Sequence, residues 1–269
     1  MDKPGIRAEI CRVVAQSEPS ALGTTIRSTP LVGFAAADDP LFADLKRVVS
    51  GTHALPRELL SSARTVIAYF IPFAESVPES NRGGHLASRE WAQSYLRTNA
   101  LIGSLGERLR ALLRSEGYDA VAPPATHNFD ERRLVSDWSH RHVAFIAGLG
   151  TFGANHMLIT EAGCCGRLGS LVTSLLVAAD ARSGEENCLH RANGSCLQCV
   201  GRCVGAALFP DRFERQHCYR VCKENEAAHQ ALGKADVCGK CLVGLPCSRT
   251  NPVRRMREQE PRRQRKEPA

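Results

Sequence analysis

The sequence predicts an α+β fold: a larger domain mixing helices with strands, then a small cysteine-rich module. Three observations carry this. Between residues 5 and 177, apolar runs at helical spacing alternate with short β-rich runs in hairpin-like order. After Asp180 the apolar runs shorten. Nine of the 12 cysteines then fall between Cys188 and Cys247. The expected boundaries are an α/β sandwich domain over 1–182, a module over 183–251 and a basic, disordered tail over 252–269.

Residues 5–17 predict an amphipathic helix with Ile6, Ile10, Val13 and Val14 on one face. Residues 31–35 predict a short strand and 41–49 a helix. Residues 64–70 predict a buried, β-rich strand that ends at Pro72. A loop follows to Ala87. Ser88 caps a long helix over 89–116, with Trp91, Tyr95, Leu105 and Leu109 in its apolar stripe, and Gly117 stops it. A short strand is expected near Ala120, a helix over 130–149, and strands over 157–160 and 168–177.

No apolar run approaches the ~18 residues of a membrane span. Met1-Asp2-Lys3-Pro4 does not open an apolar leader. The expectation is a cytoplasmic protein with no membrane partner. The net charge is +7, and residues 251–269 hold seven basic against three acidic side chains. A solvated tail explains that charge, and an RNA-contacting arm would use the same residues.

The cysteines are the sharpest signal. One run is Cys188 with Cys196-x2-Cys199-x3-Cys203; the other is Cys218 with Cys238-x2-Cys241-x5-Cys247. A four-iron cubane needs four converging thiolates. In two-cluster ferredoxins the fourth cysteine of a run crosses to the other cluster. That rule assigns Cys188, Cys196, Cys199 and Cys247 to one [4Fe–4S] cluster. It assigns Cys203, Cys218, Cys238 and Cys241 to the other, with Cys222 spare or exchanging with Cys218. A structural zinc would use only four of these thiols. Disulfides do not suit a reducing compartment.

Gly148-Leu149-Gly150-Thr151-Phe152-Gly153 matches G-x-G-x-x-G. A dinucleotide fingerprint follows a strand and opens a helix. Here the predicted order is reversed, so the glycines mark close packing against a cofactor or another chain segment.

The stretch Trp138–Gly153, then Met157–Thr160 and Gly166–Ser170, together with the strand at 64–68 and the cysteine module, resembles the epoxyqueuosine reductase family, in its short branch. The resemblance spans roughly 30–250. It implies a nitroreductase-like sandwich domain related to reductive dehalogenases, followed by a ferredoxin-like module with two [4Fe–4S] clusters. It implies a cobalamin or related corrinoid lined by Gly148, Gly150, Phe152, Gly153, His156, Gly169 and Ser170. The implied activity is an iron–sulfur oxidoreductase passing single electrons to the corrinoid, which reduces a small-molecule or nucleoside substrate. An electron donor such as ferredoxin or flavodoxin and a tRNA partner follow from the same likeness. The family's acidic proton donor is not in register here. Asp137 is the nearest acid, and His140 or His142 lies in the same segment, so Asp137 and His140 are the catalytic candidates. A chain that only transfers electrons or reduces a corrinoid, with no substrate of its own, is the alternative.

Overall fold

The computed structural model describes residues 1–17, 26, 29–125 and 129–264. The chain opens with α1 (Lys3–Gln16), β1 (Leu31–Ala36), α2 (Leu41–Val48), α3 (Pro56–Leu59), β2 (Thr65–Pro72), α4 (Ser76–Ser80), α5 (Arg89–Ser115) and β3 (Ala120–Val121). It continues with β4 (Phe129–Asp130), β5 (Val135–Ser136), α6 (His140–Ile146), β6 (Gly150–Phe152), β7 (Leu158–Thr160) and β8 (Gly166–Thr173). The cysteine-rich segment and the end of the chain add α7 (Leu189–Asn193), α8 (Gln198–Gly201), α9 (Arg215–Ala228) and α10 (Pro252–Gln264).

The fold is mixed α/β. Its main sheet runs β1-β2-β8-β3, and every pairing is antiparallel. Successive side chains of a strand point to opposite faces. Ile67, Tyr69 and Ile71 of β2 meet Ile6, Ile10, Leu105 and Leu109 from α1 and α5 on one face. Val66 and Ala68 meet Phe42, Trp138, Val143 and Ile146 on the other. Covered on both faces, β2 is buried at all eight positions, which explains its unbroken apolar run.

Ser88 caps α5 as its sequence suggests, its Oγ accepting from the Trp91 N–H at 3.0 Å. The helix expected over 130–149 is overturned: only His140–Ile146 is helical. Asp130 accepts from the Arg132 and Arg133 amides at 2.8 and 2.9 Å, and Leu134 takes a left-handed φ of 54°. These turn the chain back as the β4–β5 hairpin. The segment Gly150–Phe152 is a strand paired with Leu158–Thr160.

The disordered tail expected over 252–269 is corrected for its described part, since 252–264 form α10. Asn251 Oδ1 accepts from the Val253 and Arg254 amides, Val253 is buried, and Arg254 pairs with Glu161 and Glu258. Residues 265–269 lie outside the described residues. No described helix is long and apolar enough to cross a membrane.

Candidate redox site

All 12 cysteines are free thiols. Cys188 stands at the start of α7, Cys199 lies in α8, and Cys218 and Cys222 share one side of α9. Cys238 and Cys241 flank the loop at Gly239 and Lys240. Cys188, Cys196, Cys199 and Cys247 line one small cavity. Cys203, Cys218, Cys222, Cys238 and Cys241 line a second, of about 360 Å3. Asn155 lines both, and its Nδ2 donates to the Cys241 carbonyl at 3.4 Å.

The thiols feel one another. Burial pushes Cys199 up to about 11, and the charges of Cys247, Cys188 and Cys196 push the same way. Burial also raises Cys238 to about 11, with Cys218 and Cys203 adding to it. Cys241 is raised by burial and then by Cys218, Cys238, Cys203 and Cys199. Thiols that oppose each other's ionisation become thiolates together only around a compensating metal charge. Among the described residues, no three His, Cys, Asp or Glu side chains converge on the position of a single metal ion.

Gly239 takes φ +73°, and a Cβ there would fall 2.2 Å from the Trp91 ring. The loop between Cys238 and Cys241 thus lies flat on Trp91. Trp91 Nε1 is buried, has no hydrogen-bond partner among the described residues, and belongs to a ring that lines the second cavity. Lys240 is 1% exposed, and its Nζ donates to the Asn81 carbonyl at 3.0 Å. Sequence spacing pointed to neither residue; Trp91 reads there only as part of an apolar stripe.

Cys164 and Cys165 are buried where the sheet meets the module. Their amides donate to the carbonyls of Cys247 and Ser248. The Cys165 thiol donates to the Leu242 carbonyl at 3.3 Å. They tie β8 to the segment that carries Cys247.

The second cavity continues into a third, of about 400 Å3, which shares Cys218, Cys222, Tyr219 and Arg141 with it. His140 lines this third cavity. Its Nδ1 meets Ser170 Oγ at 2.9 Å and its Nε2 meets the Pro124 carbonyl at 2.8 Å. Trp138 Nε1 donates to the same Ser170 Oγ. Burial pushes His140 down to about 4. It is a neutral imidazole with both nitrogens engaged. Asp137 is exposed, accepts from Thr52 Oγ1 at 2.5 Å, and is absent from the cavity lining.

The glycine turn meets chain, not open space. A Cβ on Gly148 would fall 2.8 Å from the Ala181 carbonyl oxygen, and one on Gly150 would fall 2.1 Å from that of Ile159. Gly169 faces the Tyr69 ring across the sheet. Phe152 packs on His142 and Phe145. Gly153 lies at the first cysteine cavity. Of the residues expected around a corrinoid, His156 alone lines the second cavity, stacked on Phe213 at 4.9 Å.

An antiparallel sheet covered on both faces, followed by a cysteine-rich segment whose thiols line paired cavities, defines the class, and solved structures share that fold. The epoxyqueuosine reductase from Streptococcus thermophilus matches 91% of the chain with a TM-score of 0.52 at 16% identity. That from Bacillus subtilis matches 90% with a TM-score of 0.56 at 17% identity. The catabolic reductive dehalogenase NpRdhA, in complex with 3-bromo-4-hydroxybenzoic acid, matches 95% with a TM-score of 0.60 at 15% identity. The chain shares its fold with epoxyqueuosine reductases and B12-dependent reductive dehalogenases. It spans 66% of the length of those reductases and 38% of that dehalogenase. No family model matches the sequence, and no curated protein does.

Proposed function

We propose that this chain is an iron–sulfur oxidoreductase holding two [4Fe–4S] clusters, and that it passes single electrons to a corrinoid in the adjoining cavity, where a substrate is reduced. The nitroreductase-like sandwich would supply that cavity and the ferredoxin-like module would supply the clusters. One cluster is assigned to Cys188, Cys196, Cys199 and Cys247, the other to Cys203, Cys218, Cys238 and Cys241. The observation that carries this reading is the sorting of these eight cysteines into two cavities, four to each, in crossed sets divided by Asn155.

The residues fit the clusters. Each cavity offers at least four thiols, and the unpartnered Trp91 Nε1–H at the second is a donor suited to a cluster sulfur. The thiols bind, Lys240 sets a buried positive charge beside them, and Cys164 with Cys165 fixes the Cys247 segment. For the corrinoid, the support is the wide cavity walled by Phe129, Phe213, Met157 and Tyr219. The Gly148–Gly153 turn gives none, because chain already fills the space beside its glycines. When bound, the clusters supply one-electron transfer and the corrinoid supplies a strongly reducing cobalt centre.

A second reading is favoured by one observation. Asp137 lies outside the cavity and His140 has both nitrogens engaged, so neither is poised to hand over a proton. A carrier that only reduces a corrinoid needs no such donor. Ferredoxin or flavodoxin is the proposed electron donor. A tRNA partner rests on one reductase of this fold solved with a tRNA stem loop.

The test is the visible and EPR spectrum of anaerobically purified protein, with and without cobalamin. The expected result is a brown protein, bleached by dithionite, whose added cobalamin is retained and changes spectrum on reduction. A colourless protein with stoichiometric zinc would overturn the clusters. Cobalamin lost on gel filtration would overturn the corrinoid.

A further inference from the structure

The wider cavity carries charge that the proposed electron path does not use. Arg141, Arg167 and Arg215 all line it, and no Asp or Glu does among the described residues. None of the three forms an ion pair with a carboxylate among those residues. Arg141 is held by Nη1, which donates to the His156 carbonyl at 2.8 Å. Arg167 is held by Nε on Asn99 Oδ1 at 3.0 Å and by stacking its guanidinium 4.5 Å from the Tyr95 ring centre. Both guanidiniums are thus fixed on one edge; beyond these bonds and a 3.5 Å contact from Arg141 Nη1 to Met157 Sδ, their N–H groups have no hydrogen-bond acceptor among the described residues. Arg215 makes no side-chain hydrogen bond at all among the described residues.

Burial lowers Arg141 and Arg167 from the usual arginine range, and the positive charges of Arg215 and then Arg167 lower Arg141 further. Three like charges gathered at one cavity repel unless an anion sits between them. Cys218 faces Arg141 and answers part of that one charge. Asp236, which accepts from the Tyr95 hydroxyl, faces Arg167 from the second cavity. Arg215 forms no ion pair among the described residues. The remaining walls include Phe129, Phe213 and Tyr219, with Phe129 edge-on to Tyr219 at 6.0 Å. Fixed guanidinium forks match planar oxyanions, and aromatic walls match a flat apolar body.

We infer that this cavity binds a small planar organic anion, an aryl carboxylate or its like, through Arg141, Arg167 and Arg215, and that this anion is the substrate class. The inference deepens the reductase reading, on which its substrate claim rests; the anion site itself stands without it. A corrinoid's own phosphate offers the same oxyanion chemistry, so the test separates the two sources.

Calorimetric titration of the full-length protein with benzoate and with neutral benzamide reads the site directly, with no corrinoid present and regardless of cluster content. Benzoate is expected to bind roughly tenfold or more tighter than benzamide, because charge-assisted hydrogen bonds are the stronger class. The Arg215→Gln and Arg167→Gln variants should each lose a comparable factor, and Arg215→Lys should recover part of it. Equal binding of benzoate and benzamide would overturn the inference, as would benzoate affinity unmoved by Arg215→Gln in protein of unchanged circular dichroism. A second arm compares cobalamin with cobinamide, which lacks the nucleotide phosphate. If Arg215→Gln weakens cobalamin alone and leaves benzoate untouched, the anion is the corrinoid's and the substrate assignment fails. If benzoate binds as expected to protein without clusters or corrinoid affinity, the anion site stands while the reductase reading falls.

Discussion

At the scale of single residues, the two thiols of α9 make the sharpest pair. Cys218 and Cys222 lie one helical turn apart and hydrogen-bond to each other, which favours the Cys218 thiolate and keeps Cys222 protonated. The expected outcome is that Cys218→Ser loses the second cluster's EPR signal while Cys222→Ser retains both; the reverse pattern would exchange their roles. Trp91→Phe removes the indole N–H from the second cavity and leaves a smaller ring beside Gly239. Its clusters should assemble, and the midpoint potential of one should move negative, since a lost hydrogen bond to sulfur destabilises the reduced, more negative state. A potential equal to wild type would show that the Trp91 N–H does not reach a sulfur. His140 gives a pH dependence. Its folded-state pKa, about 4, lies below the ordinary 6.5, so between these values the unfolded chain binds more protons. Its contribution is fully present above about pH 6.5 and is lost as the pH falls towards 4. The full loss is about 3 kcal/mol at ~1.4 kcal/mol per pKa unit. Trp138 fluorescence, read through urea melts in this window, should show a steeper pH slope in the wild type than in His140→Gln.

At the scale of elements, what was legible in the sequence follows from how local each cause is. Helix α5 announces itself through the Ser88 cap and its apolar stripe, and β2 through an unbroken apolar run. Both causes lie inside the element. The β4–β5 hairpin was hidden because Asp130 and the left-handed Leu134 outweigh the apolar spacing around them. Helix α10 looks like a tail in sequence because its start is built across space: Asn251, which caps it, is itself held by Glu161 and Asn187. Removing 252–269 should therefore cost stability. Burying Val253 contributes ~1.5–3 kcal/mol and each exposed ion pair less than ~1, so the truncated chain should melt several degrees lower. An unchanged melt would return the segment to the status of a tail. The Cys238–Cys241 loop gives the opposite case, a local motif with a distant cause. Its CxxC spacing is plain, but the need for glycine at 239 comes from Trp91 on α5. Gly239→Ala meets both a left-handed φ, costing ~1–2 kcal/mol, and the indole ring. It should lose the second cluster selectively, as iron content and EPR would show.

At the scale of the molecule, the arrangement of thiols is a matter of connectivity rather than of spacing. Cys241 and Cys247 are close in sequence, yet they line different cavities. Cys199 and Cys203 are separated in the same way by one turn at the end of α8. Asn155 lines both cavities, and each short run places a cysteine in each. In the proposed assignment each site draws thiols from both runs, so the two cluster units would not fold separately, and the Cys164–Cys165 contact ties the joint to the main sheet. This makes a demanding prediction. Cys247→Ala should abolish the same cluster signal as Cys196→Ala, although Cys196 is far away in sequence. Cys241→Ala should abolish the signal that Cys203→Ala abolishes. The measurement is the EPR of dithionite-reduced single variants and of two double variants. In the crossed arrangement, Cys196→Ala with Cys247→Ala leaves one cluster intact, whereas Cys241→Ala with Cys247→Ala leaves none. A chain with uncrossed clusters would give the opposite result, because Cys241 and Cys247 would then belong to one site and the other would survive their joint loss.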